Sequence, residues 1–332
     1  MRRYGYLFED LYDFENLQSA FNKSFRGLKK KELNSDYYFY LEGNILSLQS
    51  KLKLKTYHPA KYRYFKIHEP KERLISVAGF EDRIVHHALV NVLEPIYERI
   101  FIYDSYATRK GKGSHRAIAR AQHFLKRNRW FLKIDIKQYF GSIDHRVLIN
   151  ILKRKIKDPK IIELIDVIIK NNDISQNIDD GIGLPIGNLT SQFLANVYLD
   201  QVDHYVKENL KIDYIRYMDD MVFFADDKNR LREILQLSSA YLGSRLKLTI
   251  KPGSIVINNR IHGLSFLGFR IFAAIIRVKN ENIKRMKKNI EKKEWEYKRG
   301  MISEEKLSQS VNSIIEFIKT ANSVRLRQNI YG

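Results

Sequence analysis

Three aspartates carry the chemistry this sequence offers. Asp219 and Asp220 stand side by side in IDYIRYMDDMVFFA (212–225), between the strand-like runs Ile212–Tyr217 and Met221–Ala225. Asp is a common turn former, so a hairpin turn over Met218, Asp219 and Asp220 accounts for ordinary turn chemistry. Met218 and Met221 are poor turn formers, however, and adjacent carboxylates repel unless a cation joins them. A hard, oxygen-seeking ion such as Mg²⁺ relieves that repulsion. Asp135 ends a third apolar run, WFLKIDI (130–136). An ionised carboxylate there is costly without a cation or metal, although taken alone it reads as a strand-end Asp capping the next turn. Three carboxylates on neighbouring strands are able to hold two Mg²⁺ ions about 3.5–4 Å apart. One ion would lower the pKa of an attacking 3′-hydroxyl. The other would hold a triphosphate and stabilise the departing pyrophosphate. That chemistry is nucleotidyl transfer.

Nothing else in the chain competes with it. There is no cysteine among the 332 residues, which excludes disulfides, thiolate zinc sites, iron–sulfur clusters and a cysteine nucleophile. RKGKGSH (109–115) lacks phosphate-loop spacing, and no GxSxG occurs. The nine histidines form no ligand cluster, and the adjacent His86 and His87 cannot face one metal from a helix. The balance of 59 Lys+Arg against 38 Asp+Glu gives +21, which favours a polyanionic partner, nucleic acid first. Two stretches concentrate that charge. Lys51–Arg73 alternates cations with Tyr and Phe, as a nucleic-acid groove would, and Lys284–Arg299 reads as a basic helix. A solvated face explains the second equally well. No apolar run approaches the roughly 18 residues of a membrane span, and MRRYGYLFEDLYDFE has no apolar signal-peptide core. The expectation is a soluble, cytoplasmic protein with no membrane contact.

The elements that must position these residues are mixed. With 44% hydrophobic residues and a length of roughly two domains, the chain has material for a real core. Asp82–Leu93 reads as a helix with Ile84, Ala88 and Val92 along one side, and Arg146–Lys155 as another. Ser191–Val206 carries the stripe Leu194, Val197, Tyr198, Val202 and Tyr205, and Asn229–Leu242 is also helical. Trp130–Ile136, Leu246–Ile250, Ser254–Ile257 and Phe266–Ile271 are strand candidates. From Asn280 the pattern is helical, broken near Gly300. Disorder is expected only at the termini and around Lys29–Lys31. Helices interleaved with hairpin-joined strands indicate an α+β fold with an antiparallel sheet, followed by a basic helical C-terminal module.

LKIDIKQYF (132–140), GLPIGNLTSQ (183–192) and YMDD (217–220), in this order, resemble motifs A, B and C of reverse transcriptases. PKERLIS (70–76) resembles the fingers segment that meets the incoming triphosphate, and FLGFRI (266–271) the primer-grip hairpin. DRIVHHAL (82–89) and SYATRKGKGSHRAI (105–118) are similar to the bacterial retroelement branch, which includes group II intron enzymes. The resemblance implies a right-hand polymerase: an N-terminal helical extension over 1–58, fingers and palm over 59–270, and a short basic helical thumb over 271–332. It implies metal binding by Asp135, Asp219, Asp220 and the Ile136 carbonyl, with two Mg²⁺ ions or Mn²⁺ in their place. Lys71 and Arg73 match triphosphate contacts. Phe140 matches the ring that rejects a 2′-hydroxyl, against the plain alternative of an aromatic packed on the sheet. Gly187 would let the backbone approach the nascent base pair, with Ile186 and Gln192 beside it. Lys251 matches a general acid toward pyrophosphate, with Lys247 the alternative. Arg109, Lys110, Lys112, Lys284, Arg285, Lys287 and Lys288 would contact template RNA and a DNA or RNA primer, while dNTPs are the substrates.

Ile186 stands where many reverse transcriptases carry Gln, and IGNLTSQ with YMDD resembles the diversity-generating retroelement enzymes of bacteria and phages. That subtype implies copying with errors at adenines and a small basic helical accessory protein that forms a ring. The plain alternative is that Ile186 simply packs. The expectation is a chain that ends near the thumb, which argues against a complete group II intron protein with maturase or endonuclease domains. LSQSVNSIIEFIKTANS (307–323) lacks the Ser-Trp-x-Gly-His pattern of many diversity-generating enzymes, which keeps a defence-associated bacterial reverse transcriptase as the alternative. A non-catalytic RNA-binding scaffold is the third reading, opposed by the intact aspartates.

Overall fold

The computed structural model describes residues 3–26, 35–68, 72–171 and 181–323, so Lys29–Lys31 and Lys71 lie outside the described residues. The chain divides into two compact units. The first takes residues 1–103, 136–209 and 237–252, and the second takes 104–135, 210–236 and 253–332.

The first unit is chiefly helical. Asp13 opens the helix Phe14–Phe25 by accepting from the Glu15 and Asn16 N–H groups, and Asp158 opens Pro159–Lys170 in the same way toward Lys160. Helix Phe80–Glu98 buries Ile84, Ala88, Leu89 and Leu93 completely or nearly so, while Val92 is only half-buried. Its stripe thus turns toward Leu89 and Leu93 as 3.6-residue periodicity drifts along the helix. Helix Leu189–His204 is buried almost all round, with Leu194, Val197, Tyr198 and Val202 at its centre. Tyr205 lies beyond its end, stacked on Tyr241 with ring centroids 4.3 Å apart. Two short strands, β1 (Arg63–Ile67) and β2 (Arg73–Val77), form an antiparallel ribbon.

The second unit holds a four-stranded antiparallel sheet. Its strands are β3 (Trp130–Ile134), β4 (Asp213–Tyr217), β5 (Asp220–Ala225) and β6 (Val256–Asn259), in the order β4-β5-β3-β6. Phe131, Ile215, Val222 and Phe224 from this sheet share one core with Phe124 of helix Ser114–Arg127. The same core takes in Phe266 and Phe269 from a smaller sheet of β7 (Leu264–Phe266), β8 (Phe269–Ile271) and β9 (Ile276–Val278). Helices Asn280–Lys298 and Glu304–Lys319 follow, separated at Gly300, whose φ is 70°.

Four expectations change. The turn between β4 and β5 holds only Met218 and Asp219, because Tyr217 pairs with Asp220 and draws it into the strand. Leu246–Ile250 is no strand. Leu246 ends the helix Lys228–Leu246, Lys247 turns left-handed at φ 53°, and Ile250 alone makes a bridge, to Ile136. The strand expected at Ser254–Ile257 runs Val256–Asn259, since Ser254 is held by Asp135 instead. Phe266–Ile271 is a hairpin corner, not one strand, with Leu267 and Gly268 both at positive φ.

Candidate active site

The hairpin of the second unit sets the geometry of its aspartates. A two-residue hairpin loop favours positive φ at its first position, and Met218 adopts φ 55° there despite its side chain. Arg216 pins this turn: its fully buried guanidinium donates from Nη1 to the Met218 carbonyl at 3.1 Å. Its backbone is tied to Asp104 and Tyr106 by hydrogen bonds of 2.9 and 3.0 Å. Sequence reading passed over Arg216, although a cation inside the apolar strand DYIRY is itself a signal, because Arg is seldom fully buried without a task. Asp135 leaves β3 with its main chain clasped by Ser254, whose Oγ accepts from the Asp135 N–H and donates to the Asp135 carbonyl, each at 3.2 Å.

Register brings the carboxylates together. Ile134 pairs with Met221, so the next step along both strands places Asp135 across from Asp220. Burial pushes the Asp219 carboxyl up to about 7, helped by the charge of Asp135, a hydrogen bond with it, and the charge of Asp220. Asp220 instead meets Lys133, with Nζ 2.9 Å from Oδ1. The described residues gather no group of three or more histidines and acids able to hold a metal. What they hold is a facing carboxyl pair, Asp135 and Asp219, with Asp220 paired to an ammonium. A pair that prefers to share a proton fits a hard dication, which supplies the missing positive charge.

The first unit gathers a second set. Arg73 opens β2, and Ser76 of that strand donates its N–H to the Ile186 carbonyl at 2.8 Å. Gly187 lies so close that an added Cβ would stand 2.8 Å from Ile75 Cγ2 and 3.1 Å from the Ser76 carbonyl. Two buried polar atoms in this stretch, Ser76 Oγ and Asn188 Nδ2, have no hydrogen-bond partner among the described residues. Ile186 and Gln192 are half-buried. Tyr139 is buried and donates to the Ala195 carbonyl, whereas Phe140 is half-buried, its carbonyl accepting from Leu184 at 2.7 Å. Tyr139 therefore does the packing.

Lys247 is taken up by Asp144, 2.5 Å away. Burial alone would raise the Asp144 pKa, but Lys247 and the Val147 N–H outweigh it and hold the carboxyl below its ordinary value. Asp144 also caps the helix His145–Lys153, so Lys247 has a structural post. Lys251 follows the Ile136–Ile250 bridge directly and is half-buried.

The basic residues of the second unit divide. Arg109 donates to the Ser105 carbonyl and Lys112 lies over the Tyr106 ring, while Lys110 is exposed. Lys284, Arg285, Lys287 and Lys288 are all exposed on a helix that turns Ile283, Met286 and Ile290 to the core.

A sequence profile of the family described as Reverse transcriptase (RNA-dependent DNA polymerase) matches residues 66–271. The group II intron-encoded protein LtrA of Lactococcus lactis subsp. cremoris is 32% identical over 223 residues, 65% of this chain and 36% of LtrA. Protein YkfC of Escherichia coli (strain K12) is 27% identical over 257 residues, 64% of this chain and 66% of YkfC. A solved telomerase from Candida albicans, in complex with a telomeric RNA fragment, has a TM-score of 0.49 at 12% identity, covering 74% of this chain and 54% of that one. The chain thus spans about a third of the length of LtrA.

Proposed function

The chain belongs to the reverse transcriptase family, and from that premise we propose that it copies template RNA into cDNA by two-metal nucleotidyl transfer. The observation that carries this reading is the facing pair of Asp135, just past the end of β3, and Asp219, in the β4–β5 turn, with Asp219 pushed up to about 7. Divalent ions bound there, Mg²⁺ or Mn²⁺, would activate the primer 3′-hydroxyl and neutralise the triphosphate. The chain's own residues do the rest. Asp135, Asp219 and Asp220 would hold the ions, with the Ile136 carbonyl as a further oxygen. Lys71 and Arg73 supply cations to the phosphates, and Phe140 closes the space a 2′-hydroxyl needs. Gly187 and Ile186 border the nascent base pair, with Gln192 on the same side, and the unpartnered Ser76 Oγ and Asn188 Nδ2 are polar groups a nucleotide would satisfy. Lys251 donates a proton to pyrophosphate. Arg109, Lys110 and Lys112, together with Lys284, Arg285, Lys287 and Lys288, neutralise template and primer phosphates. In this reading residues 59–270 are fingers and palm, 271–332 the thumb and 1–58 an N-terminal extension. Among the described residues no helix is long and apolar enough to cross a membrane.

The finer reading is a diversity-generating enzyme of bacterial or phage cytoplasm, error-prone at adenines and served by a small basic ring-forming partner. An aliphatic Ile186 cannot hydrogen-bond the nucleotide as Gln would, which narrows the gap between correct and incorrect insertion. Each 1.4 kcal/mol of gap lost is about tenfold in discrimination. Primer extension on a defined RNA, followed by sequencing of the cDNA, tests both levels. Divalent-ion-dependent extension is expected, with misinsertion concentrated opposite adenine and reduced about tenfold by Ile186→Gln. Absence of extension would remove the polymerase reading. Extension with a low, base-indifferent error rate would replace diversity generation by the defence-associated alternative.

A further inference from the structure

His145 opens the helix His145–Lys153 of the first unit and is only 6% exposed. Burying an imidazole costs hydration that its ring contacts must answer. Its Nε2 lies 2.6 Å from the Gly183 carbonyl, 38 residues along the chain. A carbonyl only accepts, so Nε2 carries a proton and donates it. Nδ1 is buried with no hydrogen-bond partner among the described residues. The ring is thus committed to Gly183.

That bond completes a seam. The His145 N–H donates to the Gly181 carbonyl at 2.9 Å, the Gly183 N–H to the Ile143 carbonyl at 2.8 Å, and the Leu184 N–H to the Phe140 carbonyl at 2.7 Å. Asp144 and Ile182 form an antiparallel bridge in its middle, and Lys247 grips Asp144. Residues 181–184 are therefore stitched to 140–145. Beyond the seam the chain has little slack. Leu184 and Pro185 are buried, and the proline ring fixes its own φ. A shift at Gly183 is passed on to Ile186, whose carbonyl is held by the Ser76 N–H.

We infer that His145 is a positioning residue that makes Phe140 and the Ile186–Gly187 segment one frame, so that the sugar and the base of the incoming nucleotide are selected together. The inference rests on the roles given above to Phe140 and Ile186 and adds the part that aligns them. A ring excludes a 2′-hydroxyl only while the sugar is set against it, and the segment bordering the base does that setting. Once the seam loosens, the nucleotide gains room to tilt and both selections slacken. His145 touches neither nucleotide nor ion in this scheme.

Single-nucleotide primer extension by the purified full chain tests this, with kcat/KM measured for the correct dNTP, the matching rNTP and an incorrect dNTP. Ratios are the readout, because a loss of folded protein lowers all three values equally and cancels. His145→Phe keeps a planar ring and removes the donor. It is expected to lower the dNTP-to-rNTP ratio and the correct-to-incorrect ratio together, each on the order of tenfold. His145→Gln sets an amide N–H near the place of Nε2 and should keep both ratios. His145→Asn sets it near Nδ1 instead and should lose them as the Phe variant does. Amide hydrogen exchange at Gly183 and Leu184 should quicken in the Phe and Asn variants, without reference to activity. Unchanged exchange or unchanged ratios in His145→Phe, a fall in one ratio alone, or equal behaviour of the Gln and Asn variants would overturn the inference. Phe140→Ala separates the two levels, since it should lower the dNTP-to-rNTP ratio and leave the other. If it does not lower that ratio, the role of Phe140 fails and the inference falls with it; if it does while His145→Phe moves neither ratio, only the role of His145 fails.

Discussion

Asp219→Asn is expected to lower cDNA synthesis by on the order of a thousandfold or more and, with divalent ions removed, to make the protein more stable. Both effects come from one carboxyl. As an ion ligand, Asp219 supplies charge that an amide cannot, and each 1.36 kcal/mol lost from transition-state stabilisation is about tenfold in rate. Without an ion, the same charge is a burden. The carboxyl titrates near 3.8 in the unfolded chain but is pushed up to about 7 in the fold by burial and by Asp135. Between these values the folded chain keeps a proton that the unfolded chain has lost. Stability therefore falls as pH rises from about 4, and the loss is complete above about 7. The cost is on the order of 2–4 kcal/mol at pH 8, some of it relieved by solvent. Thermal melts in EDTA at pH 5 and pH 8 measure it. The original chain should lose stability between the two, and Asp219→Asn should lose less and melt higher at pH 8. Equal pH dependence in the two proteins would remove the facing-carboxyl description, whatever happens to activity.

The parts of this site that sequence could reveal are those set by local pattern. The hairpin is legible because Tyr214, Ile215 and Tyr217 precede, and Met221–Phe224 follow, a short polar gap, with Arg216 the one charge in either run. Its length was misjudged by one residue, since Asp at a turn and Asp opening a strand look alike until the pairing of Tyr217 with Asp220 is known. That one residue matters, because it puts Asp220 on the sheet face where Lys133 reaches it. LKLTI (246–250) alternates like a strand, yet the preceding helix extends to Leu246 and Lys247 turns left-handed to serve Asp144, a partner 103 residues away. The ribbon of β1 and β2 was hidden for the opposite reason. RYFKI is exposed along nearly all its length, so burial imposes no alternation on it. Ser254 and Arg216 were not legible as site residues because their roles are contacts with main-chain groups, Asp135 at a separation of 119 residues and Met218 at a turn whose conformation propensity alone would not choose.

Gly187→Ala is the substitution expected to damage the first unit most for its size. Two penalties fall on one methyl group. The residue holds φ 114°, where an L side chain is strained by about 1–3 kcal/mol. The Cβ would also press on Ile75 Cγ2 at 2.8 Å and the Ser76 carbonyl at 3.1 Å, and crowding of this kind costs about 1–3 kcal/mol more. Ile75 could shift, being a side chain. Ser76 cannot shift freely, because its N–H is bonded to the Ile186 carbonyl at 2.8 Å and its strand pairs with β1. Relief must therefore come from moving Ile186 and Gly187 off β2, which displaces the residues assigned to the nascent base pair. Gly181→Ala is the internal control: Gly181 holds a similar φ of 106° with nothing within 4 Å of an added Cβ, so it carries the backbone strain alone. Denaturant unfolding of both variants should place Gly187→Ala below Gly181→Ala by about 1–3 kcal/mol. Ile75→Ala in the Gly187→Ala background should recover part of that difference, because it removes the side-chain collision and leaves the one with Ser76. Primer extension should follow the same order. If the two alanine variants unfold alike, the close approach of Gly187 to β2 is wrong, and with it the argument that this glycine is required for the backbone to lie there.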